Sequence, residues 1–205
     1  MSPRAASPPV PVVGLTGAVA AGKSEALSAF GKLGAETLSS DQVVHDLLAA
    51  PEVAAKLVER WGEEAAPGGE VDRARVGAIV FERPEELAWL EGVLHPLVGE
   101  RVAAWRSELG QGAHLAVVEV PLLFETGMEP AFDATVAVVA ADEVRAERAD
   151  GRGTESFAER EARQLPEDEK AARATHVLAN DGTLQELETA VAALIPALTE
   201  TGARA

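Results

Sequence analysis

An α/β fold, with a parallel β-sheet covered by helices on both faces, is what this sequence predicts. Three observations carry the prediction. A short apolar run, Val12 to Leu15, empties into a glycine-bounded loop and then into a helical pattern. Three further apolar runs of strand length recur downstream, each bounded by a turn residue. The stretches that separate them are Ala-rich and charged with helical spacing, and alternation of these two patterns is the mark of βαβ construction.

Val12 to Leu15 reads as a buried parallel strand, because a strand covered on both faces is a nearly continuous apolar run. A helix is expected from about Lys23 to Leu33, with Ala26, Leu27, Phe30 and Leu33 on one face and Gly34 as its stop signal. Ala35 to Ser40 reads as the second strand and completes a βαβ unit. The later strands are Leu115 to Val120, ended by Pro121; Ala134 to Val139, after Asp133; and His176 to Leu178, before Asn180. Each is expected to lead into a charged, Ala-rich helix. Residues 42–112 show helical spacing throughout, punctuated by Gly68-Gly69 and Pro84. They are too long for a simple crossover and are expected to form a helical insertion that shapes a substrate site. Residues 142–173 are a second charged helical excursion and a candidate lid. The expected organisation is a tail (1–11), core (12–41), insertion (42–112), core (113–141), lid (142–173), core (174–198) and tail (199–205).

The chain has 205 residues, enough for one well-buried core with one or two insertions. Hydrophobic residues make up 47% but aromatics only 4%, with no Tyr, so Ala, Val and Leu must build the interior. The formal net charge of -16 argues against sequence-independent binding to nucleic acid or to anionic membranes. An anionic ligand would have to be held by a local cluster of amides, Lys, Arg and metal. The absence of Cys excludes disulfides, thiolate zinc sites and cysteine nucleophiles, and fits a reducing compartment. No apolar stretch approaches the roughly 18 residues of a membrane span. A cytoplasmic monomer or weak homo-oligomer is expected.

The chemistry concentrates in Gly17-Ala18-Val19-Ala20-Ala21-Gly22-Lys23-Ser24, which matches G-x-x-x-x-G-K-[ST] at every defined position. The glycines let the backbone wrap phosphate oxygens closely. Successive amides form a nest whose partial charge is reinforced by the following helix N-terminus. Lys23 would bridge the β- and γ-phosphates of a nucleotide, and Ser24 would offer its hydroxyl to Mg²⁺. The loop does not by itself separate kinases from other nucleotide-dependent proteins. No Asn-Lys-x-Asp-like guanine signature is present, and the insertion and lid favour a small-molecule kinase. A nucleotide-binding regulatory protein without transferase activity stays open.

Asp41 follows the second strand, at the sheet edge where open α/β folds bind ligands. Its carboxylate could take the proton of an attacking hydroxyl, help place a metal, or cap a helix over Val43 to Ala49. Glu119 and Glu125 flank Pro121 at the end of the third strand, where they could orient a metal shell or stand as solvated rim charges. His95 precedes Pro96, where a helix should stop or kink. The lid candidate carries Arg145, Arg148, Arg152, Arg160, Arg163, Lys170 and Arg173 among many acidic residues. Most read as helix-face charges, although one or two arginines would suffice to hold a transferring phosphate. Asn180 opens an Asn-Asp-Gly turn.

Several segments occur in order: Gly14-Leu15-Thr16-Gly17 before the loop; Ser39-Ser40-Asp41; Phe81-x-x-Pro84-Glu85; Leu94-His95-Pro96-Leu97; and Val120-Pro121-Leu122-Leu123-Phe124-Glu125. Gln164-Leu165-Pro166, Glu169-Lys170, Ala172-Arg173-Ala174 and Val177-Leu178-Ala179-Asn180-Asp181-Gly182 follow. Together they resemble the dephospho-CoA kinase family over about residues 12–196. The resemblance implies a three-layer P-loop kinase fold with a helical substrate-binding insertion and a lid. It implies ATP and Mg²⁺ as donor and metal, and transfer to the ribose 3′-hydroxyl of dephospho-CoA, with Lys23 serving catalysis. By the same resemblance Asp41 is the base, and His95 and Leu122 contact the acceptor. Arg148, then Arg152, are first choices for phosphate contacts, and Asn180 belongs to the ATP-binding loop near adenine. The family usually shows Asp-x-Asp at the second strand and an Arg soon after, where this chain has Ser39 and His45.

Overall fold

The computed structural model describes residues 10–110, 112–150, 161 and 164–201. They form two compact units, Met1–Ser39 with Leu109–Ala205, and Ser40–Glu108.

The first unit is built on a five-stranded parallel sheet of β1 (Val12–Gly17), β2 (Glu36–Ser39), β3 (Ala116–Glu119), β4 (Ala134–Val139) and β5 (His176–Ala179), in the order β2-β3-β1-β4-β5. The α/β class expected from the apolar runs is therefore borne out. β1 occupies the centre, with Val13 paired to Val117 on one side and to Ala134 on the other. Burial on both faces explains why its six residues are all inaccessible and why they show no alternation. Every strand runs the same way, so all five carboxyl ends share one edge of the sheet.

One face of the sheet packs on α1 (Lys23–Lys32) and α8 (Leu184–Thr201), where Ala26, Ala29 and Phe30 meet Leu187, Val191 and Leu198 over Val13, Leu15, Val117, Val136 and Val138. Small side chains bring α1 close to the sheet, which is how an interior poor in aromatics reaches native density. Leu33, expected on the buried face of α1, is 39% exposed and is the C-cap residue. Past the last turn, a residue no longer follows the helical period. On the other face lies α7 (Glu167–Arg173), in contact with β1 and β4. α6 (Asp142–Asp150) precedes it in the chain. Thr183 and Glu186 cap α8 reciprocally: the Glu186 amide donates to Thr183 Oγ1 at 3.3 Å, and the Thr183 amide to Glu186 Oε2 at 2.7 Å.

β3 departs from the expectation that each strand leads into a helix. A run of turns from Pro121 to Gly127 follows it, and then a 3₁₀ turn at Glu129–Ala131. Pro121 and Pro130 lack amide protons and Gly127 adopts φ 65, so helical hydrogen bonding cannot be sustained there.

The Ser40–Glu108 unit is helical: α2 (Ser40–Leu48), α3 (Pro51–Trp61), α4 (Arg73–Glu82) and α5 (Pro84–Glu108). Val43, Leu47, Val53, Leu57, Trp61, Ala65, Ala66, Val76, Ile79, Leu90 and Leu94 are its buried apolar residues. Asp72 caps α4 by accepting from the amides of Ala74 and Arg75 at 2.9 and 3.3 Å. Pro84 opens α5, where its missing amide proton costs nothing. Glu86 accepts two bonds from Arg60, at 2.9 and 3.1 Å, and one from Trp61 Nε1 at 2.9 Å. Trp61 stacks edge-on to Trp89 with centroids 5.1 Å apart.

Two expectations are corrected in this unit. Of the stop or kink expected at His95-Pro96, the stop is not found: α5 runs through Pro96 to Glu108. Pro96 forfeits the bond its amide would give to the Gly92 carbonyl, but Leu90 and Leu94 bury the helix just before it, and packing overrides the local preference. α2 begins at Ser40 rather than Val43, so Asp41 lies within its first turn and is not the residue preceding it. An acidic side chain there complements the helix dipole.

Candidate functional site

The loop between β1 and α1 is shaped by three residues with positive φ. Gly17 has φ 152, and a Cβ there would meet the Val138 carbonyl oxygen at 2.3 Å. Ala20 turns at φ 62, and Gly22 at φ 93. The Ala21 amide closes the turn onto the Ala18 carbonyl at 3.3 Å. Gly22 is the N-cap of α1 and offers no side-chain cap, which leaves the first amides of the helix available to an anion. Lys23 Nζ donates to the carbonyls of Gly17 and Ala18 at 3.1 and 2.9 Å. Its ammonium is therefore held against the backbone at the start of the loop.

Ser24, in the first turn of α1, donates from Oγ to Glu119 Oε1 at 3.4 Å. Glu119 ends β3 and is only 5% exposed, so of its two sequence readings the solvated rim charge is ruled out. A hydroxyl and a carboxylate at the mouth of a phosphate loop are hard oxygen donors of the kind Mg²⁺ selects. No cluster of three or more His, Cys, Asp or Glu occurs among the described residues.

Glu125 has a different role from its neighbour. Its Oε1 accepts from Lys170 Nζ at 2.9 Å and from the Leu165 amide at 2.8 Å. Lys170 is fully buried, and it also donates to the Pro121 carbonyl at 2.8 Å and to Gln164 Oε1 at 3.3 Å. Thr16 Oγ1 donates to the same Pro121 carbonyl at 3.2 Å. The turn after β3, which carries half-buried Leu122, is thus tied both to β1 and to the chain leading into α7. Loss of hydration depresses the Lys170 ammonium below its ordinary 10.5, against the pull of Glu125.

A cavity of about 480 Å³ adjoins Ala18 and is lined by Arg145, Gln164, Leu165 and Glu167. Arg145 is nearly buried and pairs with Glu161 at 2.5 Å and Asp142 at 3.6 Å. Burial raises the Glu167 carboxyl above its ordinary range, opposed by the Ala140 amide and Arg145. Arg148 lies on α6 with Nη1 buried and without a hydrogen-bond partner among the described residues. Arg152, Arg160 and Arg163 fall outside the described residues.

Asn180 follows β5 and is 5% exposed. Its side-chain Nδ2 donates to the Ala21 carbonyl at 2.9 Å, inside the phosphate loop. Nothing local in an Asn-Asp-Gly turn reveals that contact. The Lys170–Glu125 pair was likewise invisible, because a lysine between Glu169 and Ala171 looks like any helix-face charge.

In the helical unit, Asp41 and His45 are exposed and one turn apart on α2. The Arg73 guanidinium, from the start of α4, meets the His45 ring. A cation thus stands beside His45. His95 is exposed on α5.

Residues 11–186 match the family model described as CoaE, dephospho-CoA kinase. A dephospho-CoA kinase of Deinococcus radiodurans is 40% identical over 192 residues, covering 91% of this chain and 92% of that protein. Another from Brucella melitensis is 36% identical over 191 residues, covering 91% and 94%. The crystal structure of a Thermus thermophilus protein superposes with a TM-score of 0.80 at 35% identity, over 94% of this chain and 99% of that one.

Proposed function

The chain belongs to the dephospho-CoA kinase family, and from that premise we propose that it transfers the γ-phosphoryl group of ATP to the ribose 3′-hydroxyl of dephospho-CoA, the last step of CoA biosynthesis. The family match over residues 11–186 carries the identity of the acceptor. The loop geometry supports the phosphoryl chemistry.

In this reading the amides of the Gly17–Ser24 loop and Lys23 hold the triphosphate, and Ser24 with Glu119 supplies protein oxygens to Mg²⁺. Held by those two oxygens, Mg²⁺ would supply positive charge to offset that of the triphosphate. Asp41 orients the 3′-hydroxyl and accepts its proton as the new oxygen–phosphorus bond forms and the bond to the β-phosphate oxygen breaks, releasing ADP. No described hydrogen bond engages the Asp41 carboxylate, so it is available for that proton. Arg148, with a guanidinium nitrogen that has no hydrogen-bond partner among the described residues, contacts the transferring phosphate. His95, Leu122 and Arg73 contact the acceptor, Arg73 supplying positive charge beside His45. No helix among the described residues is long and apolar enough to cross a membrane. We place the reaction in the cytoplasm.

The test is purified protein with ATP, Mg²⁺ and a panel of acceptors: dephospho-CoA, nucleosides, nucleotides and sugar acids. ADP should form with dephospho-CoA alone. Phosphorylation of another acceptor with dephospho-CoA inert would refute the assignment.

A further inference from the structure

We infer that Asn180 positions the phosphate-binding loop by locking the Ala21–Gly22 peptide, and that it serves the nucleotide through the loop rather than by touching the base. This rests on the reading of the loop as a triphosphate cradle.

Asn180 is anchored at both ends. Its backbone amide donates to the Val139 carbonyl at 2.8 Å, which fixes it to the end of β4, and its side-chain Nδ2 donates to the Ala21 carbonyl at 2.9 Å. In a planar trans peptide the carbonyl and the following N–H point in opposite directions. Holding the Ala21 carbonyl outward against Asn180 therefore turns the Gly22 N–H toward the concave side of the loop. Were that peptide to rotate, the negative end of its dipole would face the phosphates and one donor of the nest would be lost.

The same contact supplies a second reason for glycine at position 22. Beyond its φ of 93, a Cβ there would lie 2.1 Å from Asn180 Nδ2. Backbone conformation and side-chain packing thus both demand the absence of a side chain. Ala21 is fully buried, so without Asn180 its carbonyl has no water to turn to. Only a donor will serve: an aspartate of the same shape would place a carboxylate against a carbonyl.

Asn180→Asp and Asn180→Ala would be compared with wild type for binding of inorganic tripolyphosphate, ATP and dephospho-CoA by titration calorimetry. Both variants should bind tripolyphosphate and ATP about tenfold more weakly, by the same factor, with dephospho-CoA unchanged. Equal tripolyphosphate binding by variants and wild type overturns the inference. So does loss confined to ATP, which would mark a base contact, and so does an equal loss for dephospho-CoA, which would mark general unfolding. Failure of wild type to bind tripolyphosphate would instead sink the cradle reading itself. A measurement on wild type alone is independent of variant folding. Asn180 is the chain's only asparagine, and its side-chain amide protons should exchange slowly with solvent in nuclear magnetic resonance spectra. Exchange at the rate of a free amide overturns the inference as well.

Discussion

Replacing Lys170 by Met probes the buried pair beneath the turn after β3. The ammonium is fully inaccessible and is shared among Glu125, the Pro121 carbonyl and Gln164. Methionine matches the length of the stem, so the cavity left behind is small and the cost is mainly electrostatic. Removing one member of a buried ion pair typically costs about 3–5 kcal/mol, because the other charge is stranded. Two bonds survive here: Glu125 keeps the Leu165 amide at 2.8 Å, and Pro121 keeps Thr16 Oγ1 at 3.2 Å. The loss should therefore fall at the low end, about 3 kcal/mol, which for a chain of this size lowers the melting temperature by roughly 6–12 °C. Lys170→Met with Glu125→Gln, which strands no charge, should recover about half of that loss. The probe matters. Trp61, Trp89 and Trp105 all lie in the Ser40–Glu108 unit, so far-ultraviolet circular dichroism, not tryptophan fluorescence, must follow the unit that carries Lys170. A loss below about 1 kcal/mol, or a double variant as unstable as the sum of the singles, would refute the reasoning.

The same lysine gives a pH signature. Its folded value lies below 10.5, so between that lowered value and 10.5 the unfolded chain binds more protons than the folded one. The stability advantage of wild type over Lys170→Met should grow as pH rises through that window and shrink as it falls, as read from urea melts; a flat difference would contradict it. Glu119→Gln keeps an acceptor for Ser24 but removes the charge, and should raise the Mg²⁺ concentration for half-maximal rate about tenfold with little change in melting temperature. An unchanged requirement would reduce Glu119 to packing. Ala20→Gly relieves the left-handed strain at φ 62, partly offset by the greater freedom of glycine when unfolded; thermal melts should show a gain of about 0.5 kcal/mol. A lower melting temperature would show that Ala20 carries no strain. Asp41→Asn should lower kcat about 10²–10⁴-fold and leave the KM for ATP nearly unchanged, and near-normal kcat would remove it as base.

What could be read from the sequence was what is local. β4 was expected at Ala134 to Val139 and is found there, because a strand buried on both faces declares itself as an apolar run between turn residues. The phosphate loop was legible for the same reason, with its chemistry contained in eight consecutive residues. Boundaries at β2 slipped because Ser40 can end a strand or begin a helix, and the contest was settled by burial of Val43 and Leu47. Pro96 signals a break to any reading of propensity, yet α5 passes through it. The contacts that complete the site were out of reach because they join distant parts of the chain. Asn180 meets Ala21 across 159 residues, and Ser24 meets Glu119 across 95. In each case the residue type stands out locally, but its partner is chosen by sheet order, which no local pattern encodes. Lys170 reads as a surface charge, since a lysine on a short acidic helix has no local feature that distinguishes a buried from a solvated ammonium.

The acceptor and the position of transfer are the centre of this account, and the structure of the product tests both at once. Wild-type protein incubated with ATP, Mg²⁺ and dephospho-CoA should give ADP and one new phosphomonoester in equal amounts, with phosphorus–proton coupling placing that phosphate on the ribose 3′-oxygen. ADP without a new phosphomonoester, or a phosphate at any other oxygen, would contradict it.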